Sequence, residues 1–185
     1  MGKLNAFIFM TLDGYFEGPA KGDISWHRHG LEESDFAIDM LQSGNTLLFG
    51  RITYGHMASY WPTPDAIKNA PALANGMNEA EKIVFSQTMK KAEWNNTRLI
   101  KDNIADEIKK LKQSGKNMTI LGSGSILTQL ADHGLIDEYQ FMVDPVAIGE
   151  GNSIFKGVKR RLNLELSATR TFKSGVVLLS YYPMK

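Results

Sequence analysis

Cysteine is missing from all 185 residues. Its absence excludes disulfides, thiolate nucleophiles and cysteine-ligated metal sites. An excess of charge of one sign is missing too: 21 basic against 20 acidic residues leave a net charge of +1. The densest basic stretch, Lys156 to Arg161, is short. Nucleic-acid binding therefore has no support, and these charges read as solvated surface. No apolar run approaches the roughly 18 residues of a membrane span. At the N-terminus, Lys3 and the run Phe7 to Met10 end at Asp13 with no small-residue cleavage site behind them. That pattern reads as a buried strand rather than a signal peptide. Ala6 stands where a Gly2 myristoylation site needs Ser or Thr. A cytoplasmic protein with no membrane partner is expected.

What is present is an ordinary globular composition, 43% hydrophobic and 22% charged. One domain over residues 1–185 is expected. Leu4 to Leu12 is an almost continuous apolar run, which fits a central strand covered on both faces. It stops at Asp13-Gly14, a turn signal. Residues 15–30 hold three glycines and a proline and read as a long loop. Residues 32–42 read as a helix ended by Gly44. Thr46 to Phe49 is a short strand and Thr53 to Tyr60 a helix stopped at Trp61-Pro62. Pro62, Pro64 and Pro71 predict an irregular segment. Strands are expected over 82–85, 97–100, 118–121 and 138–143. Ile104, Ile108 and Leu111 mark an amphipathic helix, and 125–133 a second one. Two long strands, 162–172 and 176–182, surround Lys173-Ser174-Gly175 and predict an antiparallel hairpin.

Three segments that follow strand-like runs carry the chemistry: Gly50-Arg51-Ile52-Thr53, Ser86-Gln87-Thr88 and Gly122-Ser123-Gly124-Ser125-Ile126. Glycine lets the backbone approach a ligand closely. Thr53 is expected to cap the following helix, whose free N–H groups attract an anion. Arg51 offers a planar fork matched to phosphate oxygens. The 122–126 segment has small residues and hydroxyls at a helix start, suited to a pyrophosphate, though it matches neither the Walker pattern nor a full Gly-x-Gly-x-x-Gly fingerprint. Each alone is better read as a polar turn. Together, at one end of a parallel sheet, they suggest a single extended anionic ligand.

The order of these motifs resembles the dihydrofolate reductase-like superfamily. It is closest to the branch containing the C-terminal reductase domain of bacterial riboflavin biosynthesis enzymes and its stand-alone relatives. Thr11-Leu12-Asp13-Gly14 resembles that branch's Ser-Leu-Asp-Gly, and Gly50-Arg51-Ile52-Thr53-Tyr54 its Gly-Arg-x-Thr-aromatic motif. Asp144-Pro145 through Gly151, with Ile154-Phe155, resembles its late Pro-x-x-x-Gly-x-Gly segment. The resemblance implies a three-layer α/β fold with a mostly parallel sheet and an antiparallel C-terminal hairpin. It implies an NADPH-dependent reductase of a small pterin- or pyrimidine-like heterocycle. Cofactor contacts would come from Ala6, Gly50, Arg51, Ile52, Thr53, Ser86, Gln87, Thr88 and Gly122 to Ile126. Gln87 stands where many relatives place Arg, so NADH is kept as the alternative cofactor. Gly122-Ser123 replaces a Gly-Gly pair whose bond is cis in dihydrofolate reductases. A homodimer through the late strands and 145–155 is also implied.

The reacting end would hold a substrate carboxylate near Glu33 or Asp35, with Asp13 as a further catalytic candidate. Asp13, Trp26 and Phe36 are the candidate substrate contacts. Glu32, Glu33 and Asp35 also suit the first turn of any helix, by complementing its dipole. His27 and His29 lack an obvious third ligand, so no metal is expected. A non-catalytic nucleotide- or pterin-binding protein is the competing reading. A reductase of a phosphoribosylated pyrimidine ranks lower, because only His27, Arg28 and His29 supply further cations nearby.

Overall fold

The structure is a computed structural model and describes residues 1–184. The first strand, β1 (Leu4–Thr11), lies inside an eight-stranded sheet. The other sheet strands are β3 (Thr46–Gly50), β4 (Lys82–Phe85), β5 (Thr97–Ile100), β6 (Met118–Leu121), β7 (Glu138–Asp144), β9 (Leu164–Thr171) and β10 (Val177–Pro183). Their order is β5-β4-β3-β6-β1-β7-β10-β9. Pairings from β5 through β7 are all parallel. Strand β10 runs antiparallel to both β7 and β9. The fold is thus the dihydrofolate reductase-like one expected from the sequence, with the antiparallel hairpin at its end.

Side-chain alternation along the strands builds two cores. Leu4, Ala6, Ile8, Leu48, Ile120 and Phe141 face one side. There they meet Ile108 of α5 (Ile104–Gln113) and Ile126, Leu127 and Leu130 of α6 (Gly124–Asp132). Phe7, Leu47, Phe49, Val84, Leu121 and Met142 face the other. They meet Phe36 and Met40 of α1 (Leu31–Gln42), Tyr54 of α2 (Arg51–Tyr60) and Met77 of α4 (Pro71–Glu79). Both faces are apolar, so the strands read as hydrophobic runs rather than as alternating ones. Each such side chain contributes about 1.5–3 kcal/mol by leaving water.

The topology makes a crevice. From β1 the chain goes outward through β3, β4 and β5, then returns to insert β6 between β3 and β1. Neighbouring strands β3 and β6 therefore send their following helices, α2 and α6, to opposite faces of the sheet. Such a switch point opens a cleft beyond the carboxyl ends of the strands.

Several local expectations need correction. The proline-rich stretch is helical: α3 (Pro64–Asn69) and α4 both carry proline in their first turn. There the missing N–H removes no helical bond and the fixed φ suits the helix. Thr63 Oγ1 caps α3 by accepting the Ala66 N–H at 3.2 Å. Thr53 caps nothing. Helix α2 already starts at Arg51 with Gly50 as its N-cap, so Thr53 lies inside the first turn. Within the expected loop, β2 (Tyr15–Glu17) pairs with β8 (Asn152–Ser153) as a separate two-stranded ribbon. The Gly122–Ser123 bond is trans.

Candidate active site

The three segments singled out in the sequence line one cleft of about 970 Å³. Gly50 to Thr53 comes from the end of β3, Ser86 to Thr88 from the end of β4, and Ser123 to Ile126 from the end of β6. Phe16 and Glu17 of β2 form part of the same wall. Glycine keeps the meeting point of the segments open. A Cβ on Gly50 would overlap Ser123 Oγ, and one on Gly124 would lie 2.9 Å from the Phe16 ring. Gly122 and Ser123 both have left-handed backbone, with φ of +59° and +65°. These two residues turn the chain directly from strand into helix. The first N–H groups of α2 and α6 have no helical partner, and both helix starts face the cleft.

The cleft's cations are Arg51 at the start of α2, Lys101 just after β5, and Lys109 of α5, with Asp102 and Asp106 among them. Lys101 was not singled out by the sequence, where it looks like any surface lysine. Ser86 Oγ accepts the Met89 N–H at 3.0 Å, and its own hydrogen is left to donate. Gln87 and Thr88 are exposed on the same wall. Ala6 is a correction: it is fully buried in the centre of β1 and packs in the core under α5 and α6. Its neighbours are the sheet strands, so it does not reach the cleft.

The other candidates gather one strand further along, past the ends of β1 and β7. Glu33 is buried at 6% exposure, and its Oε1 accepts a hydrogen bond from the Ser174 hydroxyl. Asp35, one turn position away, is exposed, because the helix turns it off the packed face. Asp13 is tied into the loop instead. One carboxylate oxygen accepts the Thr11 hydroxyl at 2.6 Å, the other the N–H groups of Ile148 and Gly149 at 3.0 and 2.8 Å. The Thr11 hydroxyl first, then the Gly149 N–H, hold its carboxyl below the usual range. Asp13 and Asp35 are thereby corrected from catalytic candidates to a turn anchor and a surface charge. Phe36 packs between Phe7 and Phe172, with ring centroids at 5.7 and 6.3 Å. Trp26 is half-buried, and its indole N–H is sealed from solvent without an acceptor.

The residues that sequence reasoning missed here are Asp144 and the role of His27. Asp144 ends β7 and is completely buried. Its Oδ2 lies 2.8 Å from His27 Nδ1, and its Oδ1 accepts the Arg28 N–H at 2.7 Å. The Phe9 ring stacks on His27 at 3.7 Å. A signal existed: Asp144 closes the apolar run Phe141 to Val143, and a carboxylate in such a place needs a partner. Nothing in the sequence says that the partner is 117 residues away.

Residues 2–178 match the family of the RibD C-terminal domain. The chain is 35% identical to the uncharacterised protein YyaP of Bacillus subtilis (strain 168), over 95% of this chain and 92% of that one. Among solved structures, a pyrimidine reductase-like protein from Corynebacterium diphtheriae superposes with a TM-score of 0.70 at 14% identity, covering 100% of this chain and 92% of that one. Dihydrofolate reductase from Enterococcus faecalis, in complex with NADP(H) and RAB-propyl, superposes with a TM-score of 0.65 at 18% identity, covering 100% and 98%. These two likenesses concern the fold alone. With nearly the whole length matched, the chain belongs to the RibD C-terminal domain family.

Proposed function

We propose that this protein is a pyridine-nucleotide-dependent reductase of a small pterin- or pyrimidine-like heterocycle. The observation that carries the reading is the convergence of three strand ends on one cleft, at the sheet's switch point, with two helix N-termini and Arg51 facing it. The donor set fits a dinucleotide. Gly50 and Gly124 keep clear a space that a Cβ would fill. The backbone at Gly122 to Ser125 and the start of α2 offer N–H groups for a pyrophosphate. Arg51 supplies a fork for phosphate. Ser86, Gln87 and Thr88 suit the adenosine ribose. Lys101, in the same cleft, adds the charge that Gln87 lacks, which supports NADPH over NADH.

When bound, such a cofactor supplies the hydride. The chain's own residues hold and orient it and shape the substrate end. Glu33 is the buried carboxylate there, suited to accept hydrogen bonds from an amidine-like edge, and Trp26 adds an unpaired donor. We also propose a homodimer. Strand β9 is a sheet edge with Leu166 exposed, and a second copy would cover it.

Fluorescence titration with NADPH and NADH tests the reading. Binding with a preference for NADPH is expected, and no binding of either at millimolar concentration refutes it. A binding protein without turnover is the second reading, favoured by the loss of Asp13 and Asp35 as acids. Turnover of NADPH with a dihydropterin or an aminopyrimidine separates the two.

A further inference from the structure

We propose that His27, held by Asp144, is the proton donor to the substrate in this reductase, an inference that rests on the reductase reading above. The pair is buried far beyond what a surface loop needs. Asp144 is completely buried and the His27 side chain is 2% exposed. Four contacts fix the imidazole and its partner. Asp144 Oδ2 sits at Nδ1, and Asp144 Oδ1 is itself held by the Arg28 N–H. The Phe9 ring stacks on the imidazole, and His29 lies edge-on at 4.6 Å. This is the orienting logic of acid–base catalysis: a carboxylate fixes one ring nitrogen, its tautomer and its direction, and so commits the other to proton transfer.

That other nitrogen is free. Nε2 makes no hydrogen bond among the described residues. Nor is it one of the two sealed, unpartnered side-chain atoms, which are Asn5 Oδ1 and Trp26 Nε1. The pair stands at the carboxyl ends of β1 and β7, beside Glu33 and Trp26 and next to β6, whose end forms the cofactor cleft. The titratable groups in contact with it are Asp144 from β7 and His29 from its own loop; Glu33 of α1 acts on His29, the Arg28 guanidinium donates to the Ser174 carbonyl, and β1 presents Phe9. Burial first, then the charge of His27, push His29 down.

The step balances. A substrate C=N carbon gains hydride from a reduced nicotinamide dinucleotide, and the nitrogen takes the proton from His27 Nε2. The nicotinamide C–H bond, the C=N π bond and the Nε2–H bond break, while one C–H and one N–H bond form on the substrate, and the dinucleotide is oxidised by two electrons. The substrate is reduced by two electrons and the imidazole is left neutral, hydrogen-bonded to Asp144 through Nδ1–H. Solvent then restores the proton at Nε2.

The test uses the full chain, NADPH and 7,8-dihydropterin. His27→Gln should bind NADPH within about twofold of wild type and lose about 100-fold or more in kcat. The acid-dependent arm of the pH–rate profile should disappear with it. Asp144→Asn should keep KM and lower kcat about 10-fold or more, because the imidazole loses the carboxylate that fixes Nδ1. Long-range 1H–15N spectra of the histidine rings give a readout that does not depend on turnover. In the complex with NADP+, dihydropterin should shift the His27 Nε2 resonance and leave His56 and His133 unchanged. Wild-type kcat and an unchanged pH profile in His27→Gln overturn the proposal, as does a His27 resonance that ignores dihydropterin. If wild type binds no NADPH, the reductase reading itself fails, and the spectra alone then decide whether His27 meets the pterin.

Discussion

Replacing Lys82 by Met should destabilise the protein, and more so at alkaline pH. Lys82 opens β4 and is 1% exposed. Its ammonium donates to the carbonyls of Met77, Asn78 and Ala80 at 2.8, 3.1 and 2.7 Å, closing the end of α4. It also lies 4.4 Å from the centre of the Trp94 ring. Methionine keeps the length and loses all three donors. Carbonyls left without partners cost about 1–3 kcal/mol each when fully buried. Two of the three bonds are only partly buried, so a loss of about 2–4 kcal/mol near pH 7 is expected. For a chain of this size that lowers Tm by roughly 5–15 °C. Burial pushes the Lys82 ammonium down to about 8 from 10.5. Below pH 8 the group is charged in the folded and unfolded chains alike. Between 8 and 10.5 the folded chain releases its proton first, the unfolded chain holds more protons, and wild-type stability rises with pH. The Met variant lacks this rise. The gap between the two should therefore widen by up to about 3 kcal/mol toward pH 10. Urea unfolding followed by circular dichroism at pH 7, 8.5 and 10 measures it, and the difference cancels the other titrating lysines and tyrosines. A gap that narrows above pH 8, or an unchanged Tm at pH 7, would refute the reasoning.

Arg51→Ala removes the fork at the start of α2 and should weaken NADPH about 10- to 100-fold, from the loss of one or two charge-assisted bonds; equal affinity in the fluorescence titration sinks its phosphate role. Gly50→Ala should be tolerated by the fold, at about 1–3 kcal/mol, because Ser123 can rotate its hydroxyl away. It should nevertheless narrow the cleft and weaken NADPH, and unfolding and binding curves on one sample separate the two effects. Asp13→Ala frees the N–H groups of Ile148 and Gly149. Faster proteolytic nicking within 145–155 is expected, with NADPH affinity unchanged, and an unaltered cleavage pattern speaks against the anchoring role. Light scattering should find twice the chain mass if β9 pairs with a second copy, and the mass of one chain alone rules the homodimer out.

The strands and the cleft were largely legible because their signals are local. Leu4 to Thr11 is apolar on both faces since both faces are covered, and the run shows it without any partner being known. Gly50, Gly122 and Gly124 mark strand ends where the backbone and the side chains of Ser123, Thr53 and Phe16 come close. The prolines at 64 and 71 misled because proline is equally at home in a loop and in a helix's first turn. Thr53 misled for a related reason: the helix began two residues earlier, at Arg51, with a glycine as its cap.

The reacting end was far less legible. Three acids in the first turn of α1 look alike in sequence. Only packing against the Lys173-Ser174-Gly175 turn buries Glu33, while Asp35 is left exposed. By itself, then, the sequence determined the layers, the strand ends and the three-point cleft, since each depends on hydrophobic period and on small residues within a few positions. Tertiary structure alone decided which side chains meet across the sheet. The parallel register of β1 on β7, with Thr11 opposite Asp144, brings a loop histidine at 27 onto a carboxylate at 144. No local pattern encodes that distance, because the pairing follows from strand order rather than from sequence separation.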